Sequence, residues 1–138
     1  MSTTSQELDA FLEGWNVDPV NAKTAFLAYR DFLASVPGVS FTFKSRPGVS
    51  YSLRARHEKQ RGRELFVLLD VVDDEPESRW LSVCFYDAMI TDPLELGDFV
   101  PRGLMGEDAR CFNLDEEDDA MRAYIADRLR ESASKAAV

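Results

Sequence analysis

Between positions 44 and 63 the chain carries Lys44, Arg46, Arg54, Arg56, Lys59, Arg61 and Arg63 against one acid, Glu58. That stretch has a net charge of +6 in a protein whose remainder sums to −15. Guanidinium forks grip carboxylate and phosphate oxygens in pairs, so this density of arginine points to anion recognition. Arg54 and Arg56 stand two apart in an alternating segment and project from one strand face, with Ser50 and Ser52 beside them as hydroxyl donors. Three readings compete. The face is solvated and balanced by the acidic body, the usual origin of charged alternation. It meets an acidic surface on another protein or on a second copy of the chain, since complementary patches steer and align association. Or it holds a small anion. The second is the functional expectation: a non-enzymatic binding or protein-interaction module using Arg54, Arg56, Lys59, Arg61 and Arg63.

Other chemistries are poorly supplied. A thiol nucleophile needs His57, the single histidine, beside Cys84 or Cys111. His57 falls in a charged loop and reads as exposed, and both cysteines alternate with aromatics and read as buried free thiols. The acidic run Asp73-Asp74-Glu75-Pro76-Glu77 lacks the ligand spacing of a calcium loop, and three Cys/His ligands do not close a zinc site. Gly103-Leu104-Met105-Gly106 lacks the Lys-Ser/Thr and the strand-to-helix context of a phosphate loop. No catalytic set, metal or cofactor is therefore expected. The net charge of −9 disfavours nucleic acid and anionic membranes as partners. One alternative remains: a small-ligand-binding domain or small enzyme with a pocket between the sheet and residues 87–106. Asp70, Trp80, Tyr86 and Arg102 would line it. Asp70, the one acid inside an apolar strand, is expected to pair with an arginine such as Arg54 or to lie at a strand end.

The elements that must position these residues follow from periodicity. Leu8, Phe11, Leu12 and Trp15 fall at helical spacing. Asp18-Pro19 offers a cap and a first-turn proline for a second helix carrying Ala22, Ala25, Phe26, Tyr29 and Leu33, ended by Pro37-Gly38. The period then drops to 2. Val39, Phe41 and Phe43 alternate with polar residues, Arg46-Pro47-Gly48 turns, and Val49, Tyr51, Leu53 and Ala55 alternate with Ser50, Ser52, Arg54 and Arg56. Residues 64–72 read as a central strand and Trp80 to Tyr86 as the next. Short connections imply an antiparallel meander. Residues 87–108, broken by Pro93, Gly97, Pro101, Gly103 and Gly106, read as an irregular packed loop or lid, and Ala109 to Leu114 as a fifth strand. Asp115 caps a final helix with Met121, Tyr124, Ile125 and Leu129 as its buried stripe, fraying after Ser132.

These elements predict an α+β fold: an antiparallel meander of four to five strands, two N-terminal helices and one C-terminal helix packed on the sheet. A length of 138 residues, 45% hydrophobic and 30% charged, fits one domain over 1–138 with frayed ends at 1–5 and 133–138. Phe43 to Tyr51 around the Pro47-Gly48 turn, the Gly103-x-x-Gly106 loop and the acidic-capped helix from Asp115 resemble small uncharacterised bacterial cytoplasmic domains of this element order. The resemblance is architectural, covers about residues 20–134, and implies no catalytic residue to carry over. With no signal peptide and no membrane-spanning run visible, a cytoplasmic location is expected.

Overall fold

A computed structural model describes residues 3–138, with side chains from Thr4 onward. The expected fraying of residues 1–5 lies partly outside the described residues.

Helix α1 spans Thr3–Gly14 and helix α2 spans Ala22–Ala34. Asn21 rather than Asp18 occupies the cap position of α2, and Pro19 lies before the helix instead of in its first turn; Asp18 acts from one turn upstream. Its carboxylate oxygens accept the N–H groups of Ala22 at 2.8 Å and Lys23 at 3.0 Å, two of the four donors that a helix start leaves unpaired. Lys23 then ties the two helices together. Its Nζ donates to the carbonyls of Leu12 at 2.7 Å and Trp15 at 3.0 Å, at the C-terminal end of α1.

Six strands follow: β1 (Val39–Arg46), β2 (Ser50–His57), β3 (Val67–Val72), β4 (Trp80–Tyr86), β5 (Asp98–Leu104) and β6 (Glu107–Leu114). A one-turn 3-10 helix, Asp87–Met89, follows β4, and helix α3 spans Asp119–Ala136. All neighbouring strands are antiparallel, in the order β1-β2-β3-β4-β6-β5. The sheet thus has six strands where four to five were expected. It is a meander only through β4, because β6 returns between β4 and the outer strand β5.

The missed strand has a local cause. β5 contains Pro101 and Gly103, Arg102 sits at φ 52°, and the pairing register shifts between Val100 and Leu104. A proline and a bulge erase the alternating pattern yet are tolerated on an edge. Of the apolar residues expected to pack in 87–108, Met89, Ile90 and Leu104 are buried, whereas Leu94, Leu96, Phe99, Val100 and Met105 are exposed. The β1–β2 hairpin closes as read. Val49 N–H donates to the Arg46 carbonyl at 2.9 Å, and Gly48 follows Pro47 at φ 82°, the backbone of a type II turn.

Alternation divides the sheet into two faces. Leu53, Ala55, Val67, Leu69, Val71, Leu81, Val83, Phe85, Phe112 and Leu114 point to one side and pack against Phe26 and Leu33 of α2 and Ile125 and Leu129 of α3. Burying each such side chain contributes roughly 1.5–3 kcal/mol. The cap of α3 is Asp118, which accepts Met121 N–H at 3.0 Å; Asp115 lies outside the helix. The helix runs on to Ala136, with Ser132, Ala133 and Ala136 buried in the stretch expected to fray.

Among the described residues no helix covers the other face. One row of cross-strand partners crosses the whole sheet there: Thr42, Arg54, Leu68, Cys84, Cys111 and Asp98. Within that row Cys84 and Cys111 form a disulfide, which corrects the expectation of two free thiols. Their Cα atoms are 4.1 Å apart, the close approach of facing residues that exchange no ladder hydrogen bonds. Reading the cysteines one at a time could not reveal the pairing, because it depends on β6 lying beside β4. A bridge across a sequence separation of 27 stabilises by roughly 3 kcal/mol through restriction of the unfolded chain.

Candidate functional site

The basic residues are presented by β2 and by the chain that leaves it. Arg54 and Arg56 stand on the helix-free face, opposite Thr42 and Ser40 of β1. The chain then folds back through a turn built on His57. Its N–H donates to Gln60 Oε1 at 2.9 Å, its Nδ1 accepts Lys59 N–H at 3.1 Å, and Gln60 Nε2 donates to the Leu65 carbonyl at 2.9 Å. His57 is 3% exposed and Gln60 8%. His57 is therefore a buried organiser of the turn, which corrects its reading as an exposed loop residue. The polar side chains around it hid that burial, since a satisfied polar group can sit inside.

This turn brings Arg63 back over the sheet. Arg63 Nε donates to both carboxylate oxygens of Glu107, at 3.2 and 3.1 Å, and Nη2 donates to Oε1 at 2.9 Å. The guanidinium lies over the Tyr86 ring, 4.6 Å from its centroid. Hydrogen bonding from Arg63 holds the Glu107 carboxyl below the usual range, and the same bond raises Arg63. Burial, reinforced by Glu107, pushes the Tyr86 phenol up, so it stays protonated at neutral pH.

Arg54, Arg56 and Arg63 line one cleft of about 620 Å³ together with Thr42 and Glu64. Arg54 Nε is shielded from solvent and has no hydrogen-bond partner, and the Tyr86 hydroxyl is in the same condition. Most buried donors are paired, so these two orphans call for an explanation. Trp15 and Arg128 also carry buried polar atoms without partners. Trp15 lies among Phe11 and Phe26 in the core, and Arg128 forms an ion pair with Glu131 at 3.3 Å. Arg54 and Tyr86 instead border clefts.

The structure divides the predicted basic set. Lys59 and Arg61 line a neighbouring depression of about 250 Å³ with Lys135, and Arg63 borders both hollows. Arg61 Nη1 is bound to the backbone of its own turn, at the carbonyls of Glu58 and Gln60. The alternative pocket set divides as well. Tyr86 and Arg102 border one hollow of about 350 Å³ with Arg63 and Glu107. Trp80 stands opposite Val72 on the same sheet face, away from that hollow. Asp70 accepts from Ser52 Oγ at 2.6 Å rather than from Arg54, because it stands in the next cross-strand row.

Two polar clusters hold the surrounding frame. Asp73, 2% exposed, accepts Gly48 N–H at 2.8 Å and Arg79 Nε at 2.6 Å, and Arg79 lies over the rings of Phe11 and Tyr51. Asp92 accepts from the Tyr124 hydroxyl, from Leu96 N–H at 3.0 Å and Gly97 N–H at 2.9 Å, and from Arg110 at 3.4 Å. Burial opposes ionisation of Asp92, but these donors outweigh it and hold its carboxyl below the ordinary value. The segment leading into β5 is thereby pinned to α3 and β6.

Sequence reasoning missed Glu107 and Thr42. Thr42 was legible as a polar member of the β1 alternation. Glu107 lies 44 positions from Arg63 and gives no local signal. Among the described residues, no group of three His, Cys, Asp or Glu side chains is placed to hold a metal ion, and no helix is long and apolar enough to cross a membrane. No family model, no curated protein and no solved structure matches the chain.

Proposed function

We propose that this protein is a non-enzymatic binding module whose cleft at Arg54, Arg56 and Arg63 takes an acidic group from another protein. One observation carries the reading: Arg54 Nε is buried and unpaired in the wall of a cleft that two further arginines line. A shielded guanidinium N–H without an acceptor is costly, and an acidic group drawn to this guanidinium would offset that cost. The bidentate Arg63–Glu107 pair holds the third arginine in place, so the cleft needs little reorganisation to bind.

The test is titration with a labelled hexa-aspartate peptide at low and moderate salt, read by fluorescence anisotropy. Binding is expected to weaken with salt and to fall about tenfold in Arg54→Met, consistent with the loss of one charge-assisted bond. Equal binding to wild type and variant would overturn the reading. A salt-sensitive dimer in native mass spectra would instead make the partner a second copy.

The orphaned Tyr86 hydroxyl beside Arg63 and Arg102 favours a second reading, a small-anion site. Inorganic phosphate alone would then raise the melting temperature by mass action, and a peptide would not be required.

A further inference from the structure

We infer that β1 is a docking edge to which an extended acidic segment of another protein adds as a seventh strand. The inference rests on the basic-cleft reading and deepens it, by stating how the partner's backbone lies.

The backbone of β1 is regular, α1 packs beside it through Phe11 on Phe43, and no strand pairs its outer side among the described residues. Val39 N–H donates to the Val36 carbonyl and His57 N–H to Gln60 Oε1, so the facing pair Val39–His57 exchanges no ladder bonds. Pairing from Val39–His57 to Arg46–Ser50 is unbroken. Strict alternation therefore turns the N–H and C=O groups of Phe41, Phe43 and Ser45 away from β2. No hydrogen bond from another element reaches these groups among the described residues. Natural sheets blunt their edges with prolines, bulges, short strands, charged side chains and covering helices, and of these β1 carries the charges of Lys44 and Arg46, with α1 packed beside it. The opposite edge, β5, has two of these devices, Pro101 and the register shift between Val100 and Leu104. β1 has eight residues, no proline and no bulge.

Charge selects the occupant. On the helix-free face β1 presents Ser40, Thr42, Lys44 and Arg46, with Arg54 and Arg56 in the next strand, and neither strand contains an acid. The arginine cleft reaches this edge strand, since Thr42 is among its lining residues. Every second side chain of an added strand would lie beside that basic row, so acids fit there. The intervening side chains would lie beside half-buried Val39 and Phe41, so apolar residues fit there. Pairing β1 with its own copy would bring two +6 stretches together, which disfavours a second copy as occupant.

The probe is an alternating aspartate–valine octapeptide, labelled with fluorescein and titrated against the full chain. Methylating one alternate set of peptide amides should weaken binding about tenfold or more, and methylating the other set should leave it unchanged. Ser45→Pro removes an outward N–H without touching the β1–β2 ladder, as edge strands tolerate. It should lower affinity about tenfold while Ser45→Ala binds as wild type. Binding that ignores both methylation patterns and Ser45→Pro would overturn strand addition and leave the basic cleft standing. Failure of every acidic peptide to bind would overturn both. A dimer that Ser45→Pro dissociates would assign the edge to a second copy and overturn the acidic partner. If Ser45→Pro does not fold, the methylated peptides alone decide.

Discussion

Arg79 and Arg54 are both shielded arginines, and their surroundings differ in one respect. Arg79 meets a carboxylate 2.6 Å away on Asp73, which is itself buried and also accepts Gly48 N–H, and two aromatic rings lie beneath its guanidinium. Arg54 lines a cleft, and its shielded Nε has no acceptor. The first arrangement is complete within the chain, so its energy goes into holding the β1–β2 turn against β3. The second is incomplete within the chain. Most buried donors in a folded protein are satisfied, and one left without a partner at a cleft calls for an explanation. The partners of the two side chains, rather than their charge, separate the framework arginine from the arginine proposed to bind.

Four substitutions test that contrast, in descending order of effect on stability. Asp73→Asn leaves the largely shielded Arg79 beside a neutral group and should cost about 3 kcal/mol, the upper end for a hydrogen bond to a charged group. Thermal unfolding should then fall by on the order of 10 °C. An unchanged transition would remove the distinction between the two arginines. Asp92→Asn weakens the charge-assisted bonds from Tyr124, Arg110 and two backbone donors and should cost about 2 kcal/mol at neutral pH. Because its native carboxyl titrates below the unfolded value, the contribution is present at neutral pH and is lost as pH falls through the native value. Urea unfolding across an acid series should therefore show wild type and Asp92→Asn converging; a gap independent of pH would sink the assignment. Arg63→Gln breaks a pair whose side chains are 31% and 44% exposed, so its cost should be about 0.5 kcal/mol and shrink with added salt. Arg54→Met should leave stability unchanged or raise it, since no intramolecular bond is lost, while the acidic peptide dissociates faster. A large loss of stability there would move Arg54 into the same class as Arg79.

Much of the frame was legible because it is local. Helical spacing placed α1, α2 and α3, alternation placed β1 to β4 and sorted their faces, and Asp18 and Pro47-Gly48 marked a helix start and a turn by side-chain and backbone chemistry that acts over a few residues. Arg54 and Arg56 were correctly assigned to one polar face for the same reason. The misses are of another kind. β5 was hidden by Pro101 and Gly103, which are permitted only because the strand lies on an edge. His57 was read as exposed because its partners Gln60 and Lys59 are polar, although they satisfy it inside the turn. Lys59 and Arg61 were grouped with Arg54 by sequence distance, whereas the turn sends them into a neighbouring hollow.

The order of amino acids determined which segments become helices and strands, which strand face is apolar, and where positive charge concentrates. Those properties depend on backbone geometry and on periods of 3.6 and 2 residues, and they act within a single element. The tertiary structure alone decided that β6 lies between β4 and β5, and with it the Cys84–Cys111 bridge. It also decided that Glu107 holds Arg63 over Tyr86 and that the Nε of Arg54 is left without an acceptor. Each of these depends on residues tens of positions apart meeting across the sheet, and such meetings follow from how the whole apolar face is buried rather than from any short stretch of chain.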